Sequence, residues 1–182
     1  MTTIAPPRPV ASALRRLYFV RFGFAVAWAA LLLTTAAEIG PLTVALLVLY
    51  PVFDVAAAVV DVRSSRTGGP SLLLYGNIAI STLAAAALAI AAASGIPAVL
   101  RVWGAWAIVA GLVQLVVAIN RRGMAGHWPM ILSGGISTVA GTSFILMAAA
   151  EDANLDNVAG YATVGGVFFL VSALRLHRTA AP

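Results

Sequence analysis

The chain has no cysteine and no lysine, and charged residues of either sign make up only 9% of it. Without thiols, disulfides and thiolate-bound metals are excluded. Without lysine, the phosphate-binding loop that depends on one is excluded too, and Gly68-Gly69-Pro70 reads as a simple turn. An ordinary soluble domain carries about 25% charged residues, so these charges are too few to solvate a folded surface in water. His127 and His177 stand neither in a His-x-x-x-His pattern nor beside paired acids, and no serine has a base at a plausible spacing. No metal, cofactor or catalytic constellation is therefore expected. Polar segments are all short, so none of them is a second domain within these 182 residues.

What fills the chain is apolar. Hydrophobic residues account for 62%, gathered into six stretches: Leu17–Ala37, Leu42–Val62, Leu72–Ala93, Pro97–Ile119, Trp128–Ala150 and Val158–Leu176. About twenty helical residues at ~1.5 Å each cross the ~30 Å hydrocarbon core of a bilayer. The composition therefore predicts an all-α integral membrane bundle of six transmembrane helices over residues 14–178, preceded by a disordered tail over residues 1–13. Glu38-Ile39-Gly40-Pro41, Arg63–Pro70, Ser94-Gly95-Ile96-Pro97, Asn120–His127 and Glu151–Asn157 are the connections. Pro97 suits a first helical turn, where its missing N–H costs nothing. Arg15-Arg16, the apolar run and Thr35-Ala36-Ala37 imitate a cleavable secretory signal. A second apolar span follows almost at once, which argues for a retained helix.

Charge predicts the orientation. All basic residues are arginine, and nearly all lie in alternate segments: Arg8, Arg15 and Arg16; Arg63 and Arg66; Arg121 and Arg122; Arg175 and Arg178. By the positive-inside rule both termini are cytoplasmic. Arginine as the sole basic residue, with abundant alanine, points to a GC-rich bacterial genome and hence an inner, plasma membrane. The net charge of +5 is a topology signal, and arginines scattered over short loops make no nucleic-acid surface.

The helices also repeat. Tyr50 and Val55, Trp106 and Gly111, and Tyr161 and Gly166 recur at intervals of 56 and 55 residues. Tyr75–Thr82 lies against Ser133–Thr138 in the odd-numbered helices, with Arg21-Phe22-Gly23 as the weaker counterpart. A two-helix unit preserves direction, so three parallel helical hairpins (about 17–62, 72–119 and 128–176) are expected around an axis along the membrane normal.

Tyr50-Pro51-Val52-Phe53-Asp54, Gly104–Gly111 and Trp128–Ile136 give this plan a resemblance to the HdeD-like family of bacterial acid-resistance membrane proteins. Val55 stands where that pattern has glycine, and Phe22 where a glycine would flank Arg21. The resemblance implies a three-hairpin, six-helix fold and a part in acid and stress response, without an established molecular activity.

Ionisable groups within a bilayer cost ~2.5–3.5 kcal/mol at a helix centre, so each requires a reason. Arg21 lies ~6 Å and Asp54 ~12 Å from the cytoplasmic boundary by helix rise. Arg21 leans toward that boundary and is expected to snorkel, as Arg101 is at the opposite face. Asp54 is short and leans away. Its options are an ion pair with Arg21, a hydrogen bond from a neighbour such as Asn77, or a proton in place of its charge. Asn77, Gln114, Ser133, Ser137 and Ser172 fall at similar depth. Arg21, Asp54, Asn77, Gln114, Ser133 and Ser137 thus form a candidate polar cluster, either a cytoplasm-facing vestibule or interhelical glue. Pro51 on the same helix removes the donor for the Leu47 carbonyl. Ser133, Ser137 and Gly141, and Gly134, Thr138 and Thr142, place small residues every four positions, fit for internal packing or for a subunit interface. His127 beside Trp128 reads as an interfacial anchor.

Three functions are consistent with these residues: a stress-response protein of the HdeD type, a small channel or transporter working through Asp54, and a scaffold. The expected partners are the lipid bilayer and either a second copy of the chain or another membrane protein.

Overall fold

A computed structural model describes residues 8–64, 72–120 and 127–179. Six helices follow one another: α1 Arg8–Leu33, α2 Pro41–Ser64, α3 Leu72–Ala91, α4 Ile96–Asn120, α5 His127–Met147 and α6 Asp156–Thr179. Among the described residues there is no strand. Five helices contain apolar segments of 19 to 21 residues, long enough to cross a bilayer. The fifth helix differs from expectation. Its apolar segment is Ile131–Met147, and the chain leaves the helix before Ala148, where Ala149 and Ala150 donate back three residues instead of four. The protein is an all-α, multi-pass membrane bundle.

Start and stop signals account for the other boundaries. α1 begins at Arg8, inside the stretch expected as a tail, while residues 1–7 lie outside the described residues. Leaving α1, Thr34 and Thr35 donate to Leu31 and Leu32, and the Thr43 hydroxyl donates 2.9 Å to the Glu38 carbonyl, closing the first turn. α3 tightens into a 3₁₀ turn over Ala92–Ser94 and then reverses at Gly95, whose φ of 90° strains any residue with a Cβ. Pro97 sits in the first turn of α4, as expected. The connections holding Arg66, Arg121 and Arg122, and the side chains of His127, Trp128, His177 and Arg178, lie outside the described residues.

The repeat is carried into the packing. Leu32, Leu88 and Phe144, at intervals of 56 residues on α1, α3 and α5, are all fully buried. So are Leu47, Trp103 and Val158 at the corresponding place on α2, α4 and α6. Ala36, Ala92 and Ala148 follow the same spacing, as do Pro51, Ala107 and Ala162. Equivalent positions in three hairpins therefore face one shared core.

The closest helix pairs are α4 with α5, α1 with α6, and α2 with α3. Partners within a hairpin touch less, and α5 with α6 least of all. Each even helix thus packs on the odd helix of the next hairpin, and α6 returns to α1 to close a ring. The Leu155 N–H donates 3.1 Å to the Ala36 carbonyl, tying the last turn to the first.

Lipid tails are as apolar as leucine, so contact between these helices depends on close approach more than on removal from water. Glycine provides it between α4 and α5. A Cβ on Gly111 would stand 2.6 Å from the Gly134 carbonyl oxygen, and one on Gly104 would stand 2.5 Å from that of Gly141. Between α6 and α1, a Cβ on Gly166 would come 3.1 Å from that of Ala25. The small residues Gly134, Thr138 and Gly141 are therefore used inside the chain.

Candidate functional site

Asp54 is where the first three helices converge. Its Oδ1 pairs with Nη2 of Arg21 from α1. Its Oδ2 accepts 2.8 Å from the Asn77 amide and 2.9 Å from the Ser81 hydroxyl, both on α3. Asn77 and Ser81 are four residues apart, so one helical face presents both donors. With both oxygens accepting, the pattern is that of an ionised carboxylate. The Arg21 and Asp54 side chains are 18% and 14% exposed, and Ser81 is fully buried.

Arg21 also ties in α6. Its guanidinium carbon lies 4.2 Å from the centroid of the Phe169 ring, a cation–π contact, and Tyr18 flanks that ring at 6.0 Å. The expectation that Arg21 snorkels to the surface is thereby corrected. Its long, forked side chain spans the difference in depth and finds a carboxylate, which a desolvated guanidinium prefers to an unpaired position. Arg101, by contrast, is exposed on α4.

The expected belt divides. Arg21, Asp54 and Asn77 come together, with Ser81 added. Ser137 is buried separately, where its oxygen accepts 2.8 Å from the Tyr161 hydroxyl across α5 and α6. Gln114 and Ser133 are half-buried and are not drawn into the Asp54 cluster. Ser172 bonds back to the Phe168 carbonyl of its own helix. Ser81 is the residue that sequence reasoning missed, although it stands opposite Ser137 in the repeat. Arg21 and Asn77, both bound to Asp54, occupy equivalent positions of successive hairpins at an interval of 56 residues.

Just beyond this cluster lies an aromatic layer. Phe24 stacks on Phe53 at 3.7 Å, Trp28 on Trp103 at 5.5 Å, and Tyr50 meets Trp28 edge-on at 4.6 Å. Trp106 closes on Trp103 at 5.4 Å. The buried Trp28 indole donates 2.7 Å to the Leu46 carbonyl, one residue before the carbonyl whose donor Pro51 removes. The buried Trp103 indole N–H has no hydrogen-bond partner among the described residues.

Two of the cavities among the described residues lie elsewhere. One, of about 1080 Å³, opens beside the N-terminal part of α1. The other, about 430 Å³, opens between α5 and α6, lined by Ser143, Phe144, Asn157 and Tyr161 among others. Neither is lined by Asp54, Asn77 or Ser81. No group of three or more His, Asp or Glu side chains placed to hold a metal occurs among the described residues. Comparison with known protein families, curated proteins and solved structures finds no match to this chain.

Proposed function

We propose that the chain is a bacterial inner-membrane protein of the HdeD type, with both termini cytoplasmic, that acts in the response to acid and other stress without catalysis. The observation that carries this reading is the three-hairpin repeat, now expressed as matched burial at Leu32, Leu88 and Phe144. The arginine pattern supports the orientation. Deletion of the gene should lower survival after acid challenge, and a plasmid copy should restore it. Equal survival of deleted and parental strains across several external pH values would overturn the stress role.

The polar cluster supports a structural part for Asp54 within this reading. Permeation or coupling through Asp54 would require its carboxylate to exchange partners during each cycle. Here Arg21, Asn77 and Ser81 occupy both oxygens, and neither cavity reaches them. Proton or small-ion flux through reconstituted liposomes should therefore equal that of empty ones. A flux that Asp54→Asn alters would favour the channel or transporter instead. A scaffold acting through the small-residue stripe of α5 loses support, since Gly134 and Gly141 are used against α4.

A further inference from the structure

The third hairpin lacks the rings that the first places between its two helices. In the first, Phe24 of α1 stacks on Phe53 of α2 at 3.7 Å, and Trp28 meets Tyr50 at 4.6 Å. Two repeats on, the same four places hold Ile136, Ala140, Tyr161 and Val164. Three of the four rings are thus replaced by smaller aliphatic side chains. The fourth, Tyr161, donates to Ser137 and packs edge-on against Phe144. The cavity of about 430 Å³ opens at this spot, and all four replacements line it. Burial agrees. Ala84, one repeat before Ala140, is buried at 6% exposure, whereas Ala140 itself is only half-buried. The volume falls within the ~300–1,000 Å³ usual for small-molecule sites. The groove is apolar along its length and polar at the end of the bundle away from the termini, where Ser143 and Asn157 line it. Asn157 stands in the place of Leu46, the residue to which the Trp28 indole bonds in the first hairpin. Its amide donates 3.5 Å to the Met147 thioether, a weak acceptor.

We propose that this groove binds a membrane-dissolved naphthoquinone, with its ring in the slot that Trp28 and Phe53 fill in the first hairpin and one carbonyl oxygen on the Asn157 amide. The first hairpin shows what the slot accepts, since a two-ring indole occupies the equivalent place. Phe144 and Tyr161 supply aromatic walls, against which a flat ring packs better than a flexible chain. Asn157 selects a carbonyl, because a lipid tail would leave its amide with only a thioether to bond. An apolar tail on the quinone leaves past Val164, which is 43% exposed, into the surrounding lipid. The quinone enters as a ligand, with no electron transfer. The site is independent of any part in stress response.

The test is equilibrium dialysis of menadione, a naphthoquinone without a tail, against the full-length chain in non-ionic detergent, with protein-free micelles as the blank. The chain has no cysteine for the quinone to alkylate. The wild type should bind one menadione saturably above the blank. Ala140→Trp, which restores the ring of the first hairpin, should abolish that binding, and Val164→Phe should reduce it severalfold. Asn157→Leu should weaken it about fivefold, the loss of one hydrogen bond. Val139→Trp adds the same ring at the neighbouring position, which is 71% exposed, and should leave binding unchanged. Absence of saturable binding by the wild type would overturn the proposal. So would binding that survives Ala140→Trp. Displacement by a saturated fatty alcohol as effective as that by unlabelled menadione would make this an acyl-chain groove and would overturn it too. Asn157 and Val164 are exposed, so their variants keep the test open if Ala140→Trp fails to fold.

Discussion

Arg21 on α1 and Asp54 on α2 form an ion pair inside the bundle, with the arginine also lying over Phe169 of α6. Asp54 in turn holds Asn77 and Ser81 of α3. Four helices from all three hairpins are thereby joined through two side chains. In a medium where apolar burial gives helices little reason to associate, such a junction defines which helices are neighbours.

Removing one partner should be far worse than removing both. Asp54→Leu leaves Arg21 charged and without its carboxylate, a loss of about 3–5 kcal/mol for a part-buried pair. Combining Asp54→Leu with Arg21→Met should recover much of that loss. Unfolding in detergent or by steric trapping measures it. Equal destabilisation by the single and double variants would show that the pair is not coupled. Ser81→Ala should cost less, near the ~0.6 kcal/mol usual for a hydrogen bond between membrane helices.

Glycines divide by what surrounds them. Gly111→Ala and Gly141→Ala force a methyl group against backbone of the facing helix, and each should destabilise by about 1–3 kcal/mol. Gly23→Ala and Gly76→Ala meet nothing within 4 Å and should be neutral or mildly stabilising. Thermal denaturation of the purified variants separates the two classes. Similar melting temperatures across all four would contradict the α4–α5 contact.

The two buried tryptophans make a matched comparison. Trp28→Phe breaks a hydrogen bond to the Leu46 carbonyl, worth about 0.5–1.5 kcal/mol beyond the lost ring area. Trp103→Phe removes an N–H that has no partner among the described residues, so it should be the milder change. A larger loss for Trp103→Phe would imply a partner for that indole.

Orientation is accessible because the chain has no native cysteine. Glu38→Cys should react with a membrane-impermeant maleimide added to intact cells, whereas Arg66→Cys should react only after lysis. The reverse pattern would invert the topology.

Much of the architecture was legible because the bilayer imposes a length on each helix and arginine marks alternate ends. Turn residues such as Gly95 and Pro97 located the reversals for the same reason. The neighbour relations were not legible. Connectivity suggests that helices within a hairpin pack most closely, yet the tight interfaces lie between hairpins. The signal for this was present in Gly111 and Gly166, whose missing Cβ atoms admit the next odd helix. The choice among the options open to Asp54, an ion pair with Arg21 among them, was undecided for a different reason. Helix depth bounds how far a side chain must reach, but rotation about the helix axis decides whether it meets lipid or Asp54. That rotation is set by packing across the whole ring. Ser81 stands at the head of an alanine-rich run that reads as filler, and only its burial against Asp54 separates it from the serines that bond to their own helix.

The claim on which the rest depends is that the first and last helices meet and close the ring. It is tested most directly by Ala25→Cys with Gly166→Cys, oxidised in native membranes. Gly166 would carry its Cβ 3.1 Å from that of Ala25, close enough for a disulfide after a small adjustment. The account predicts rapid crosslinking within one chain, seen as a faster-migrating monomer that reductant reverts. Failure to crosslink, or crosslinking only into dimers, would contradict it.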